Sequence, residues 1–232
     1  MCSWFPRLVA LVLLALPAAA DGPLQLMLSG HVQSSTGTSI DLEFVVLAPD
    51  GAEPQLVSLH MSLLPNTTAI DVAALLDARL SAAKIRHVAP APAGERAQAT
   101  LFVDGVSRLL VRVGDGLHAT IGLSEGAPAS VQLLPPLARR GKGSFKFHGV
   151  THDPRMRQRG VLDFSVELEA DTAPIQALES IANACARANW LSERPSHETW
   201  KPAPAYEGLD LVGTSFTLDT SAADWGIELR LP

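Results

Sequence analysis

Val-Ser-Leu-His-Met-Ser-Leu at residues 57–63 and Leu-Asp-Phe-Ser-Val-Glu-Leu at residues 162–168 share one pattern. Val57, Leu59, Met61 and Leu63 alternate with Ser58, His60 and Ser62. Leu162, Phe164, Val166 and Leu168 alternate with Asp163, Ser165 and Glu167. Successive side chains of a strand point to opposite faces, so strict alternation marks a strand buried on one face and wet on the other, as in many antiparallel sheets. The two stretches lie at an offset of 105, and the offset continues beyond them. Thr67 meets Thr172, Ile70 meets Ile175, Ala73 meets Leu178, Leu76 meets Ile181, Leu80 meets Cys185 and Ile85 meets Trp190.

These following residues read as helices. Ile70, Ala73, Leu76, Leu80 and Ala83 have the spacing of one helical stripe. Asn66-Thr67-Thr68 supplies a capping hydroxyl, with Asp71 near the positive end of the helix dipole. In the second stretch Thr172 is the expected cap, and Pro174 falls in the first turn, where its missing N–H is tolerated. A strand–turn–helix unit repeated at fixed offset reads as an internal duplication.

Leu24–Val32 and Ile40–Leu47 read as strands before the first unit, separated by the turn-rich Gln33–Ser39. After the first helix, Leu101–Gly105, Ser107–Val113 and His118–Leu123 read as short strands. Asp104-Gly105 and Asp115-Gly116 between them are hairpin signals. Ser130–Leu134 and Phe145–Val150 are further strands, and Pro135–Gly143 has linker composition. Leu191–Tyr206 reads as a polar, proline-bearing loop. Beyond it the register resumes at an offset of 108, pairing Leu101 with Leu209, Ile121 with Leu229 and Leu123 with Leu231. The predicted fold is α+β: two duplicated modules, each an antiparallel sheet with one amphipathic helix packed on it. The boundaries are residues 21–135 for the first module, 136–143 for the linker and 144–232 for the second.

The first 20 residues stand apart. Arg7, the apolar run Leu8–Leu16, Pro17 and Ala18-Ala19-Ala20 form the pattern of a secretory signal peptide. The run is shorter than the roughly 20 apolar residues a membrane span needs. The expected mature chain is exported, periplasmic or secreted, with no membrane span. Its formal charge, -6 with Arg7 included, becomes -7 without it. An acidic chain argues against nucleic acid as a partner. Cys185 is then the one remaining cysteine, at an apolar helix position, and reads as a buried small hydrophobe.

The chain holds no Gly-rich phosphate loop, no Gly-x-Ser-x-Gly elbow, no His-Glu-x-x-His and no cysteine pair for zinc. His148 and His152 lie four residues apart. Along a strand that is about 13 Å, too far for one metal ion unless the strand bends. No cofactor and no metal are expected. Seven of the 17 Lys and Arg residues beyond Arg7 fall between Arg139 and Arg159, among them Arg155, Arg157 and Arg159. Trp200 and Tyr206 occur in the polar loop that lengthens the second half. Arginine supplies directional hydrogen bonds and an aromatic ring supplies apolar area. Trp200, Tyr206, Arg155, Arg157 and Arg159 are therefore the candidate binding residues, for an envelope protein or an anionic glycan. The helices share apolar positions while their charged positions differ, so what is common to both halves is core. The reading is a non-catalytic exported binding or structural protein of the bacterial envelope. The alternative is a hydrolase or small-ligand-binding protein with its site in a cleft between modules.

Overall fold

The computed structural model describes residues 23–47, 53–92, 98–114, 116–123, 130–134, 143–153, 158–169, 172–188, 192–196, 199–202, 215–220 and 226–231. The expected signal peptide, most of the linker, and Arg155, Arg157 and Tyr206 lie outside them. Among the described residues are fourteen strands and two helices: β1 Leu24–Gly30, β2 Thr38–Val46, β3 Gln55–Leu63, α1 Ala69–Ala82, β4 His87–Pro92, β5 Gln98–Val103, β6 Val106–Val113, β7 Leu117–Leu123, β8 Ser130–Leu134, β9 Gly143–Asp153, β10 Gln158–Leu168, α2 Pro174–Arg187, β11 Ser192–Ser196, β12 Thr199–Pro202, β13 Ser215–Thr220 and β14 Gly226–Arg230. The fold is α+β with antiparallel sheets.

The strands form two seven-stranded sheets. Sheet 1 runs β4-β5-β1-β7-β13-β9-β10 and sheet 2 runs β11-β12-β8-β14-β6-β2-β3. Each sheet therefore takes strands from both halves of the chain. One sheet per half was the expectation, and the topology differs from it. The reason lies in the turns. Asp104-Gly105 joins β5 in sheet 1 to β6 in sheet 2, and the turn at Gly116 takes the chain back to β7 in sheet 1. Neither is a hairpin. Gly105 has φ +69°, and a Cβ there would stand 2.9 Å from the Leu47 carbonyl oxygen. That carbonyl's own residue donates its N–H to Gly105 O at 2.8 Å. The glycine thus holds the corner against the end of β2, and a register shift beside Ser107 bends β6 away.

Alternation is clearest along β1, β2 and β5. Leu24, Leu26 and Leu28 of β1, Ile40, Leu42 and Phe44 of β2, and Leu109, Val111 and Val113 of β6 are all buried, and one continuous cluster joins residues of both halves. Each helix packs across three consecutive strands at one end of a sheet and also reaches the edge strand of the other sheet. α1 touches β4, β5 and β1 of sheet 1 and β3 of sheet 2, while α2 touches β11, β12 and β8 of sheet 2 and β10 of sheet 1. Each helix closes one open side of the sandwich. α1 buries Ala69, Val72, Ala73, Leu76 and Leu80; α2 buries Ala177, Leu178, Ile181, Ala184 and Cys185. Ile70, expected in the buried stripe, is exposed instead, because the stripe is centred on Val72 and Leu76.

The caps differ. Thr68 Oγ1 accepts from the Asp71 N–H at 3.2 Å, and Asp71 Oδ2 accepts from the Thr68 N–H at 2.9 Å, a complete capping box. At α2 the cap position is Ala173, not the expected Thr172. It has no side-chain acceptor, and only the return bond from its N–H to Gln176 Oε1 at 3.4 Å is present.

Two further strands come from the segment expected to be a loop. β11 and β12 form a hairpin, and Trp200 of β12 sits opposite Val131 as Leu101 of β5 sits opposite Leu26. The strand in β5's place is therefore β12; the stretch at Leu209 lies outside the described residues. The extra length of the second half falls between β12 and β13, outside the described residues.

Candidate functional site

Trp200 was the leading sequence candidate for a surface anchor. It is 0% exposed. Its ring meets Phe147 edge-to-face at 5.4 Å and Phe164 at 6.5 Å, while the two phenylalanines stack at 4.8 Å. Its position on β12 turns it into the core, so it is a packing residue and not a binding residue. Its indole N–H finds no hydrogen-bond acceptor among the described residues. Arg159 stands near the start of β10, its backbone opposite His152 of β9. His148 is exposed on β9, four positions before His152 along the same strand.

The densest charged array lies on the outer face of sheet 2. It spans four neighbouring strands: His60 of β3, Asp41 and Glu43 of β2, Arg108 and Arg112 of β6, and Glu228 and Arg230 of β14. His60 Nδ1 is 3.0 Å from Asp41 Oδ1 and its Nε2 is 2.9 Å from Glu43 Oε1. Arg108 joins Glu43 at 3.3 Å and Glu228 at 3.4 Å, Arg112 joins Asp41 at 3.6 Å, and Arg230 joins Glu228 at 3.3 Å. The hydrogen bond that His60 donates to Asp41, with the charges of Asp41 and Glu43, raises the His60 pKa against a smaller opposing effect of burial. Signs alternate from strand to strand, so this is a self-neutralised ladder that fixes strand order and register. A second histidine, His87, is nearly enclosed. Its Nε2 lies 2.8 Å from Asp77 Oδ1 of α1 and its Nδ1 lies 2.7 Å from the Ile85 carbonyl oxygen, which ties β4 to the helix. An open groove of about 300 Å³ runs between β10 and α2, lined by Ser165, Glu167, Ser180, Asn183 and Arg187 beside Val166.

Among the described residues, the exposed large apolar side chains lie around β3, α1 and β4. Leu64 is 76% exposed, Leu56 62% and Val88 61%, with Leu75 and Ile70 about two-fifths exposed. All five belong to or adjoin β3, α1 and β4, the group that surrounds one open side of the sandwich. At the offset of 105 the second half carries Glu169 for Leu64, Ser180 for Leu75 and Glu193 for Val88, while Leu56 and Ile70 meet the apolar Val161 and Ile175. Leu56 and Leu64 flank the two ends of β3, about 26 Å apart at about 3.3 Å per residue, so the five residues are spread over this side and do not form one continuous patch. Sequence reasoning missed this surface, although a signal existed. Leu56 and Leu64 stand on the outward parity of the strand with Ser58, His60 and Ser62.

No protein-family model and no curated protein matches the chain. Among solved structures, the flagellar cap protein FliD from Helicobacter pylori is similar at 11% identity and a TM-score of 0.24, with 85% of this chain and 57% of that one covered. This chain thus spans less than two thirds of that protein. A secreted protein from Parabacteroides distasonis aligns at 6% identity and a TM-score of 0.11, over 92% of this chain and 76% of that one. Neither likeness is close enough to carry an argument.

Proposed function

We propose that this protein is an exported, non-catalytic binding or structural component of the bacterial envelope, built by tandem duplication of the strand–turn–helix unit. The observation that carries the reading is the set of exposed apolar side chains around β3, α1 and β4, namely Leu56, Leu64, Ile70, Leu75 and Val88, set against a sandwich whose interior is packed and whose sides are closed by helices. Such a molecule presents its outside. The rival, a site in a cleft between modules, is poorly served by this architecture, because the two halves share both sheets and one core. Duplication is supported by the strand orders. Place for place along the two sheets, β4 corresponds to β11, β5 to β12, β1 to β8, β7 to β14, β13 to β6, β9 to β2 and β10 to β3.

We place the binding surface in the first half; of the second-half candidates Trp200 is buried, and Arg155, Arg157 and Tyr206 lie outside the described residues. A photo-cross-linking residue at Leu64 or Leu75 is expected to capture an envelope protein in intact cells, and one at Ser180 on the polar end is not. Mass spectrometry of the exported chain is expected to find residues 1–20 removed. A cytoplasmic chain that keeps Met1, or adducts no more frequent from Leu64 and Leu75 than from Ser180, would overturn the proposal.

A further inference from the structure

The four sheet edges are not alike. β4 carries Pro90 and Pro92, and β11 carries Glu193, Arg194 and Pro195. β10 carries Arg159, Asp163 and Glu167. Proline and charge are the usual devices that keep an edge from pairing with another chain. β3, the last strand of sheet 2, has neither over its nine residues; His60 is its one titratable side chain.

The sequence about His60 also reads nearly the same in both directions. Going outward from it, Leu59 matches Met61, Ser58 matches Ser62, Val57 matches Leu63 and Leu56 matches Leu64. We propose that β3 pairs antiparallel with β3 of a second copy of this chain about a two-fold axis at His60, joining the two sheets 2 into one of fourteen strands. A two-fold interface requires a self-complementary surface, and this strand supplies one residue by residue. On the outer face Leu56 meets the partner's Leu64 and Ser58 meets the partner's Ser62; on the inner face Leu59 meets the partner's Met61. The two histidines meet at the axis, each already flanked by its own Asp41 and Glu43, so the charge is balanced from within each copy.

The helix supports the same axis. α1 lies on the inner side of sheet 2, so a two-fold axis perpendicular to the joined sheet sets both α1 helices on that side. The exposed residues of α1 are Ile70, Asp71, Ala74, Leu75, Ala78, Arg79, Ser81 and Ala82, five of them apolar. At the offset of 105 the five apolar positions Ile70, Ala74, Leu75, Ala78 and Ala82 meet Ile175, Glu179, Ser180, Asn183 and Arg187 on α2. Only the first end is dressed for close apolar contact between helices. This pairing does not depend on export or on any envelope partner.

Sedimentation of the full chain is expected to give twice 24.6 kDa, falling to the single mass on dilution. Ser58→Lys with Ser62→Lys sets lysine against lysine twice and is expected to yield a folded monomer by circular dichroism. Ser58→Lys with Ser62→Glu sets lysine against glutamate and is expected to keep the dimer. Ser165→Lys on β10 should change nothing. His60→Cys is expected to cross-link to its own copy on oxidation, which decides the matter even if the lysine pair unfolds the chain. A monomeric wild type at every concentration, identical behaviour of the Lys/Lys and Lys/Glu variants, or no cross-link from His60→Cys would overturn the proposal. A monomer still captured by an envelope protein through Leu64 would remove self-pairing and leave the binding reading in place.

Discussion

Trp200 buries an indole whose N–H has no acceptor among the described residues, so its value to the fold is its shape. Trp200→Ala is expected to cost about 3–5 kcal/mol, as large aromatic deletions do. Trp200→Phe keeps an aromatic ring against Phe147 and Phe164 and removes an N–H that makes no hydrogen bond, so a loss under about 1.5 kcal/mol is expected. Urea unfolding of both variants checks the difference, and equal losses would show that the N–H is paired after all. His60 gives a prediction in pH. Its pKa is raised in the folded chain from the ordinary 6.5. The stability it contributes is therefore complete below the unfolded value and fades as pH rises through the higher folded value. Measured at high dilution, the urea midpoint of wild type should fall relative to His60→Gln as pH crosses that window. The effect is small because the imidazole is 48% exposed. A constant difference between the two proteins would sink this assignment.

The two helices start differently, and the contrast is measurable. Thr68→Ala removes the capping hydroxyl of α1 and is expected to cost about 1 kcal/mol, whereas Ala173→Asp supplies α2 with a missing acceptor and should gain a few tenths to about 1 kcal/mol. Thermal melts of both variants test this, and a stabilised Thr68→Ala would contradict the capping geometry. At this scale the sequence was readable where a period decides the outcome. Alternation placed β3 and Ser130–Leu134, and the stripe placed Leu76, Leu80, Ile181 and Cys185 in the core. It was unreadable where a turn decides between two partners. Asp104-Gly105 specifies a tight reversal, but nothing local says whether the chain re-enters the same sheet or crosses to the other. β11 went unread because Ser192-Glu193-Arg194-Pro195 carries the edge-protecting residues that also mark a loop. Trp200 misled because its flanking residues, Thr199 and Lys201, are polar, as the wet face of any half-buried strand is.

At the scale of the whole molecule, the shared core predicts one transition. Leu76 of α1 and Ile181 of α2 are both fully buried and belong to one cluster. Leu76→Ala and Ile181→Ala are each expected to cost about 2–5 kcal/mol and to move a single melting transition as a unit. Two separable transitions in calorimetry would show independent halves. The interleaved sheets also govern how the chain can reach this state. β14, Gly226–Arg230, is the middle strand of sheet 2, where it bridges β8 to β6. Residues 24–30 wait for partners as far along as residues 117–123, and β7 in turn waits for β13. Loops this long must close before their contacts repay the lost entropy, which slows folding. A nascent chain that has delivered β1 through β10 still lacks the centre of one sheet and the bridge in the other. All seven strands up to β7 pair among themselves, so what the young chain lacks is cover: the free sides of β7 and β6 stay open until β13 and β14 arrive.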